Sequence, residues 1–321
     1  MCDGGLHAQR REAWRALSRS LPATVAALVT LSYLGYGIAA AGSGVATSTV
    51  LDDVRMPSTD AAGNSIEQIS GLAWDADEAL LYAVSDYGHL ITFKIDLADN
   101  KITRLDPVAF SSIEYSNGGS RFTDSEGIVV LNGANGIKGD SQVAVAFEDG
   151  PAAGIFDTQG NFLEPIALPA ALVDPMVFQG SNQGIEAIGF RAGSGFVFAP
   201  QARLVGESAG IHQIYSTENM VWQFEAIQPK HTFIKDLQVE PDGSIMILEG
   251  VKNGGREIRL RRVETKNCGG DSVCPVVDYM PSEPELMQDR FEGITSVGGN
   301  LYLVASDEDE GSRLLLIRIA H

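Results

Sequence analysis

One pattern recurs five times along this chain of 321 residues and restricts its fold more than any other feature: a strand-like hairpin with polar, mostly acidic residues at its open end. The copies are ISGLAWDADEALLYAVSDYG (69–88), DSEGIVVLNGANGIKGDSQVAVAFEDG (124–150), GIEAIGFRAGSGFVFAPQARL (184–204), KDLQVEPDGSIMILEG (235–250) and FEGITSVGGNLYLVASDEDEG (291–311). Aligned on Ser70, Glu126, Glu186, Asp236 and Glu292, they lie 56, 60, 50 and 56 residues apart. That period is longer than a helical solenoid repeat and suits a propeller blade.

Within each copy apolar residues alternate with a period of two, and Gly, Asn or Asp fill the turns. Further strand-like runs follow each hairpin: HLITFKIDL, AAGIFDTQG, HQIYST with MVWQFEAI, EIRLRRVET and RLLLIRIAH. Three or four strands per copy make a blade, and no amphipathic helix is evident after residue 41. The expected fold is all-β: one five-bladed β-propeller over residues 42–321, with a sixth blade in a divergent segment as the alternative. The fifth copy has only three strands, whereas ATSTVLDDVRM is a strand without a blade. Pairing of the two would close the ring.

The first 41 residues stand apart. Arg10, Arg11, Arg15 and Arg19 precede Leu21 to Ala41, a run without charge that ends in small residues. It reads as an export signal cleaved after Ala39 to Ala41, or as an uncleaved hydrophobic helix that anchors the chain in a membrane. Either places the remainder outside the cytoplasm, in the periplasm or beyond. There a local disulfide between Cys268 and Cys274, across CGGDSVC, is expected, and Cys2 has no partner. The net charge of -19 disfavours nucleic acid and anionic membrane surfaces and favours cations.

In an antiparallel hairpin the start of one strand lies beside the end of the next, so the acids collect at one rim of the channel. These are Asp86, Glu126, Glu148, Glu186, Asp236, Glu249, Glu292 and Asp307, with Asp124 close by. Ser70 and Gln201 take the acid's place in the first and third copies. Singly, each acid can cap a turn; together, crowded carboxylates raise one another's pKa or recruit a hard cation such as Ca²⁺ or Mg²⁺.

The motifs S-G-L in ISGLAWD, D-x-E-G in DSEGIVV, N-x-G-x-E in NQGIEAIGF and E-G-I in FEGIT resemble, in order and spacing over about residues 66 to 310, the exported phytase-like esterase family. The resemblance implies a propeller that hydrolyses an ester or phosphoester, assisted by Ca²⁺. Glu126, Glu186, Asp236 and Glu292 are then the expected metal ligands. Asp86, Glu148, Glu249 and Asp307 are expected as catalytic or supporting carboxylates, and Arg121, Lys235 and Arg290, with Arg203, as phosphate-binding groups. Gln201 departs from the glutamate that the family often carries there. So few basic residues argue against a substrate as anionic as phytate.

Two other classes compete: a non-catalytic propeller that binds a cation or ligand as a scaffold, and a Ca²⁺-dependent lactonase-like hydrolase. GESAG, residues 206–210, matches G-x-S-x-G and would make Ser208 a nucleophile, with His212, His231 or His321 as base. A strand, IHQIYST, follows it rather than a helix, so a hairpin loop is expected. Gly-rich phosphate loops, CxxC pairs and His-rich spacings are absent from the sequence, which argues against nucleotide, redox and zinc chemistry.

Overall fold

A computed structural model describes residues 44–320 apart from 118–119, 181–182, 253–255 and 309–310. The expected signal or anchor over residues 1–41 and Cys2 lie outside the described residues, as does His321. Among the described residues the protein is all-β with a few short 3-10 turns, and no helix is long and apolar enough to cross a membrane.

Five four-stranded groups follow one another along the chain. The first comprises Ile69–Asp75, Leu80–Ser85, His89–Ala98 and Lys101–Ser112. The second comprises Ser125–Leu131, Gln142–Phe147, Ala152–Asp157 and Phe162–Pro165. The third comprises Ile185–Arg191, Gly195–Pro200, Ile211–Ser216 and Val221–Glu225, with Val273–Cys274 added in parallel. The fourth comprises Thr232–Val239, Ile245–Lys252, Arg256–Val263 and Val276–Pro281. The fifth is Phe291–Gly298, Leu301–Ser306 and Arg313–Ile319, completed by Gly44–Arg55 from the other end of the chain. That last strand runs antiparallel to Arg313–Ile319, from Ser48 opposite Ile319 to Arg55 opposite Arg313. Its other edge pairs in parallel with Val276–Pro281, joining the fourth and fifth groups.

The first strands of the five groups pack against one another in chain order, and the fifth returns to the first. A separate apolar cluster fills each of the five group-to-group contacts. Tyr82 and Val84 meet Val143 and Phe147 between groups one and two, and Ala146 and Ile155 meet Ile188 and Phe198 between two and three. Trp222 and Ile214 meet Ile245 and Ile247, Leu248 and Leu260 meet Tyr302 and Val304, and Leu303 and Leu314 meet Leu81 and Phe93. Each sheet is therefore buried on both faces, which is why its central strands read as near-continuous apolar runs.

The short motifs of the sequence follow from how closely the first strands approach. A Cβ on Gly127 would lie 2.7 Å from the backbone N of Ile188, and one on Gly71 would lie 2.5 Å from the carbonyl O of Glu126. Backbone cannot give way at that distance, so the E-G and S-G steps need glycine. Cys268 and Cys274 form the expected disulfide. Ser208 lies in a turn followed by the strand Ile211–Ser216, so GESAG has no elbow geometry.

Candidate functional site

Every hairpin between first and second strands carries the same irregularity near its open end. The ladder steps from Ile69 to Gly71, Ser125 to Gly127, Ile185 to Ala187, Ile234 to Asp236 and Phe291 to Gly293. Each step skips one residue, a β-bulge that re-aims the side chain it sets free. The skipped residues are Ser70, Glu126, Glu186, Lys235 and Glu292, and the residues just past the facing second-strand partners are Asp86, Glu148, Gln201, Gly250 and Asp307. The rim positions are therefore 56, 60, 49 and 57 residues apart, and the fourth copy is Lys235 with Gly250, not Asp236 with Glu249. A register slip of one residue reverses the face of every side chain.

Asp236, expected as a metal ligand, is instead fully buried at 0% exposure and fastens strands together. Its Oδ1 accepts from the N–H of Leu237 at 2.7 Å, and its Oδ2 accepts from the N–H of Ile294, on the first strand of the fifth group, at 2.8 Å. It occupies the place that Gly127 and Gly293 take in their own copies. Glu249 likewise faces away from the rim. Its Oε1 meets His212 Nε2 at 3.2 Å and accepts from the N–H of Ile227 at 2.9 Å, while its Oε2 accepts from Arg261 at 2.5 Å. Burial opposes its ionisation, yet His212, Arg261 and the Ile227 N–H outweigh that and hold its carboxyl below the usual range.

The other acids do converge. Glu126, Glu186 and Glu292 each present a carboxylate oxygen within 4.8 Å of the others, and so do Asp86, Asp124 and Glu126. Glu126, which is 8% exposed, belongs to both sets and makes no hydrogen bond or ion pair among the described residues. Lys235 Nζ lies 2.9 Å from Glu186 Oε1 and 2.8 Å from Glu292 Oε1. Gln201 Nε2 donates to both oxygens of Glu186, at 2.9 and 2.8 Å. Ser70 donates to Asp86, Gly184 N–H donates to Glu148 at 2.8 Å, and Asp307 pairs with Arg290.

Burial and mutual repulsion push these carboxyls up. Burial, then the Glu186 charge, raises Glu148 to about 8. Burial raises Glu186 to about 7 although Lys235 opposes it, and burial with Glu292 raises Asp307 to about 7. Asp124 reaches about 6 through burial and the charges of Asp86 and Asp149. Burial raises Asp86, and it carries Glu126 well above its ordinary value with the help of Glu186, Asp86, Glu148 and Glu292. Lys235 is held protonated, since Glu186 and Glu292 overcome the effect of its burial.

Beside this cluster opens a cleft of about 340 Å³ whose wall includes Lys235, Lys252, Arg290, Gln183, Gln201 and Glu292. Of the three expected anion-binding residues, Lys235 and Arg290 face this cleft, whereas Arg121 pairs with Glu114 on a separate hairpin. Arg203 donates to the Glu207 carbonyl beside a different hollow. Lys252 also lines the cleft but lies beyond the repeat. Its signal in the sequence is only that it extends the second strand past Gly250, on the rim side.

A family model described as phytase-like, esterase-like activity of phytase, matches residues 64–310. Two solved structures of the extracellular domain of BT4673 from B. thetaiotaomicron are similar, one described as a hybrid two component system and the other as a one component system. In each case the identity is 15%, the TM-score is 0.38, and the match covers 78% of this chain but 27% of theirs, so the chain spans about a quarter of their length. No curated protein matches.

Proposed function

The chain belongs to the phytase-like family, and on that footing we propose that it is an exported five-bladed β-propeller whose channel mouth hydrolyses an ester or phosphoester with help from Ca²⁺ or Mg²⁺. One observation carries the proposal: Glu126 is buried without a partner at the junction of two carboxylate sets, beside a cleft that holds three cationic side chains. Burying a charge is costly unless it is compensated, and an oxygen-only set suits a hard cation. The residues therefore fit such an ion, held by carboxylates around Glu126. When bound, a divalent cation polarises the ester or phosphoryl oxygen.

The protein's own groups do the rest. Lys252 and Arg290 draw an anionic group into the cleft, and Gln183 and Gln201 offer it neutral hydrogen bonds. Lys235 and Arg290 already pair with carboxylates, which leaves little charge for a polyanion and favours an ester bearing one phosphate or carboxylate. Glu148, with a proton affinity near neutrality, takes the proton from an attacking water and returns it to the leaving oxygen. The test is release of p-nitrophenol from its phosphate and acetate esters by the full chain, with Ca²⁺ and after chelation. Turnover that chelation abolishes, and that falls by roughly 10²- to 10⁴-fold in Glu148→Gln, is expected.

A non-catalytic scaffold is the second reading, favoured by Lys235: it neutralises Glu186 and Glu292 from within, as a structural lock needs. Ca²⁺ binding with no turnover of either ester selects it.

A further inference from the structure

Resting on the reading that the mouth takes a divalent cation, we propose that the ion sits at the corner of the first and second groups, on Asp86, Asp124 and Glu126, and that Lys235 is the resident cation of the opposite corner. The two carboxylate sets share Glu126 and differ in what already compensates them. In the set with Glu186 and Glu292, an ammonium stands 2.9 and 2.8 Å from the two carboxylates, and Gln201 adds two donors to Glu186. A divalent ion lodged there would lie within a few ångströms of that ammonium and lose by repulsion much of what it gained from the acids. It would also compete with Gln201 and Lys235 for the same oxygens.

The corner with Asp86 and Asp124 lacks any such occupant. Among the described residues no cationic side chain forms an ion pair with Asp86, Asp124 or Glu126; the charges of Lys235 and Arg290 reach Asp86 only through space, and Ser70 donates a hydrogen bond to it. Glu126, 8% exposed, points its unpartnered carboxylate into this group. Asp86 and Asp124 are only partly buried, so water can complete the six to eight oxygens that Ca²⁺ takes, at about 2.3–2.6 Å. The Ser70 position supports the same division. In the first copy a neutral hydroxyl replaces the acid, which leaves room beside Asp86; in the fourth a lysine replaces it and supplies charge.

The arrangement makes the fourth copy's departure from the repeat purposeful: one rim position carries a fixed positive charge, and the diffusible ion is confined to the other side of Glu126. Lys252 and Arg290 line the neighbouring cleft, so that an anionic substrate there meets fixed positive charge as well as the ion.

Calorimetric titration of Ca²⁺ into the chelator-treated full chain decides it. The wild type is expected to bind one ion. Asp124→Asn is expected to weaken binding by more than about tenfold, the loss of one charged ligand, whereas Glu186→Gln changes it far less. Lys235→Met should take up a second ion on Glu126, Glu186 and Glu292. Equal losses in Asp124→Asn and Glu186→Gln would place the ion in the Lys235 corner and overturn the proposal. A single ion in Lys235→Met, shown by circular dichroism to be folded, would overturn the role given to Lys235. A wild type that binds no Ca²⁺ would refute the cation reading itself, and the two failures are thereby told apart.

Discussion

Replacing Asp236 by alanine is expected to weaken the fold while leaving Ca²⁺ affinity unchanged. The carboxylate is fully buried and accepts from two backbone N–H groups, Leu237 at 2.7 Å and Ile294 at 2.8 Å. Alanine leaves both donors without that acceptor, and a buried donor left unsatisfied costs about 1–3 kcal/mol. Two of them give roughly 2–6 kcal/mol, and partial repair by water through the mouth argues for about 3 kcal/mol. For a domain somewhat larger than 250 residues this corresponds to a fall in Tm of roughly 6 °C. Asp236→Asn keeps one acceptor oxygen and should lose about half as much. Scanning calorimetry of the chelated proteins measures the fall, and titration with Ca²⁺ on the same samples measures affinity. An Asp236→Ala protein that melts with the wild type but no longer binds Ca²⁺ would show that Asp236 faces the mouth, and the bulge register would be wrong.

Acid pH should stabilise the metal-free protein. Glu148 at about 8 and Glu186 at about 7, against 4.5, and Asp307 at about 7, against 3.8, all bind protons more tightly folded than unfolded. Their contribution is fully present below about pH 4 and is lost as pH rises through about 7 to 8, so chelated protein should melt lower at about pH 8.5 than at about pH 5.5. A Tm that climbs across that interval contradicts the assignment. Arg261→Met should lower the urea midpoint by an amount equivalent to about 3–5 kcal/mol, because it strands the buried Glu249 carboxylate, and it should not alter Ca²⁺ affinity. An unchanged midpoint would mean that Glu249 is compensated without Arg261.

The strand order, the pairing of the chain's two ends and the gathering of most acids at one rim were legible because alternation, turn residues and the repeat all pointed the same way. The fourth copy misled because KDL offers two polar residues in succession and no glycine. Where E-G or S-G stands elsewhere, the small residue marks which neighbour is skipped; with Lys235 and Asp236 side by side, charge alone favoured the acid. The distinction lies in strand spacing: the position after the bulge must nearly touch the next first strand, and Asp236 meets that demand with a hydrogen bond rather than with glycine. Glu249 was drawn into the ring by the same slip. Its partners His212 and Arg261 lie 37 and 12 residues away, in runs that read as ordinary strands. Lys252 belongs to no repeated element, so only the folded cleft brings it to the others.

The pairing of Gly44–Arg55 with Arg313–Ile319 also sets a timetable for biosynthesis. The first of these strands leaves the ribosome long before its partner, with Ser48 waiting for Ile319. At about 5–20 residues per second that wait lasts on the order of tens of seconds, during which the nascent chain holds an unpaired strand edge. Edges of that kind recruit other chains, so the interval before closure is when this protein is most exposed to aggregation, and chaperone capture should concentrate there.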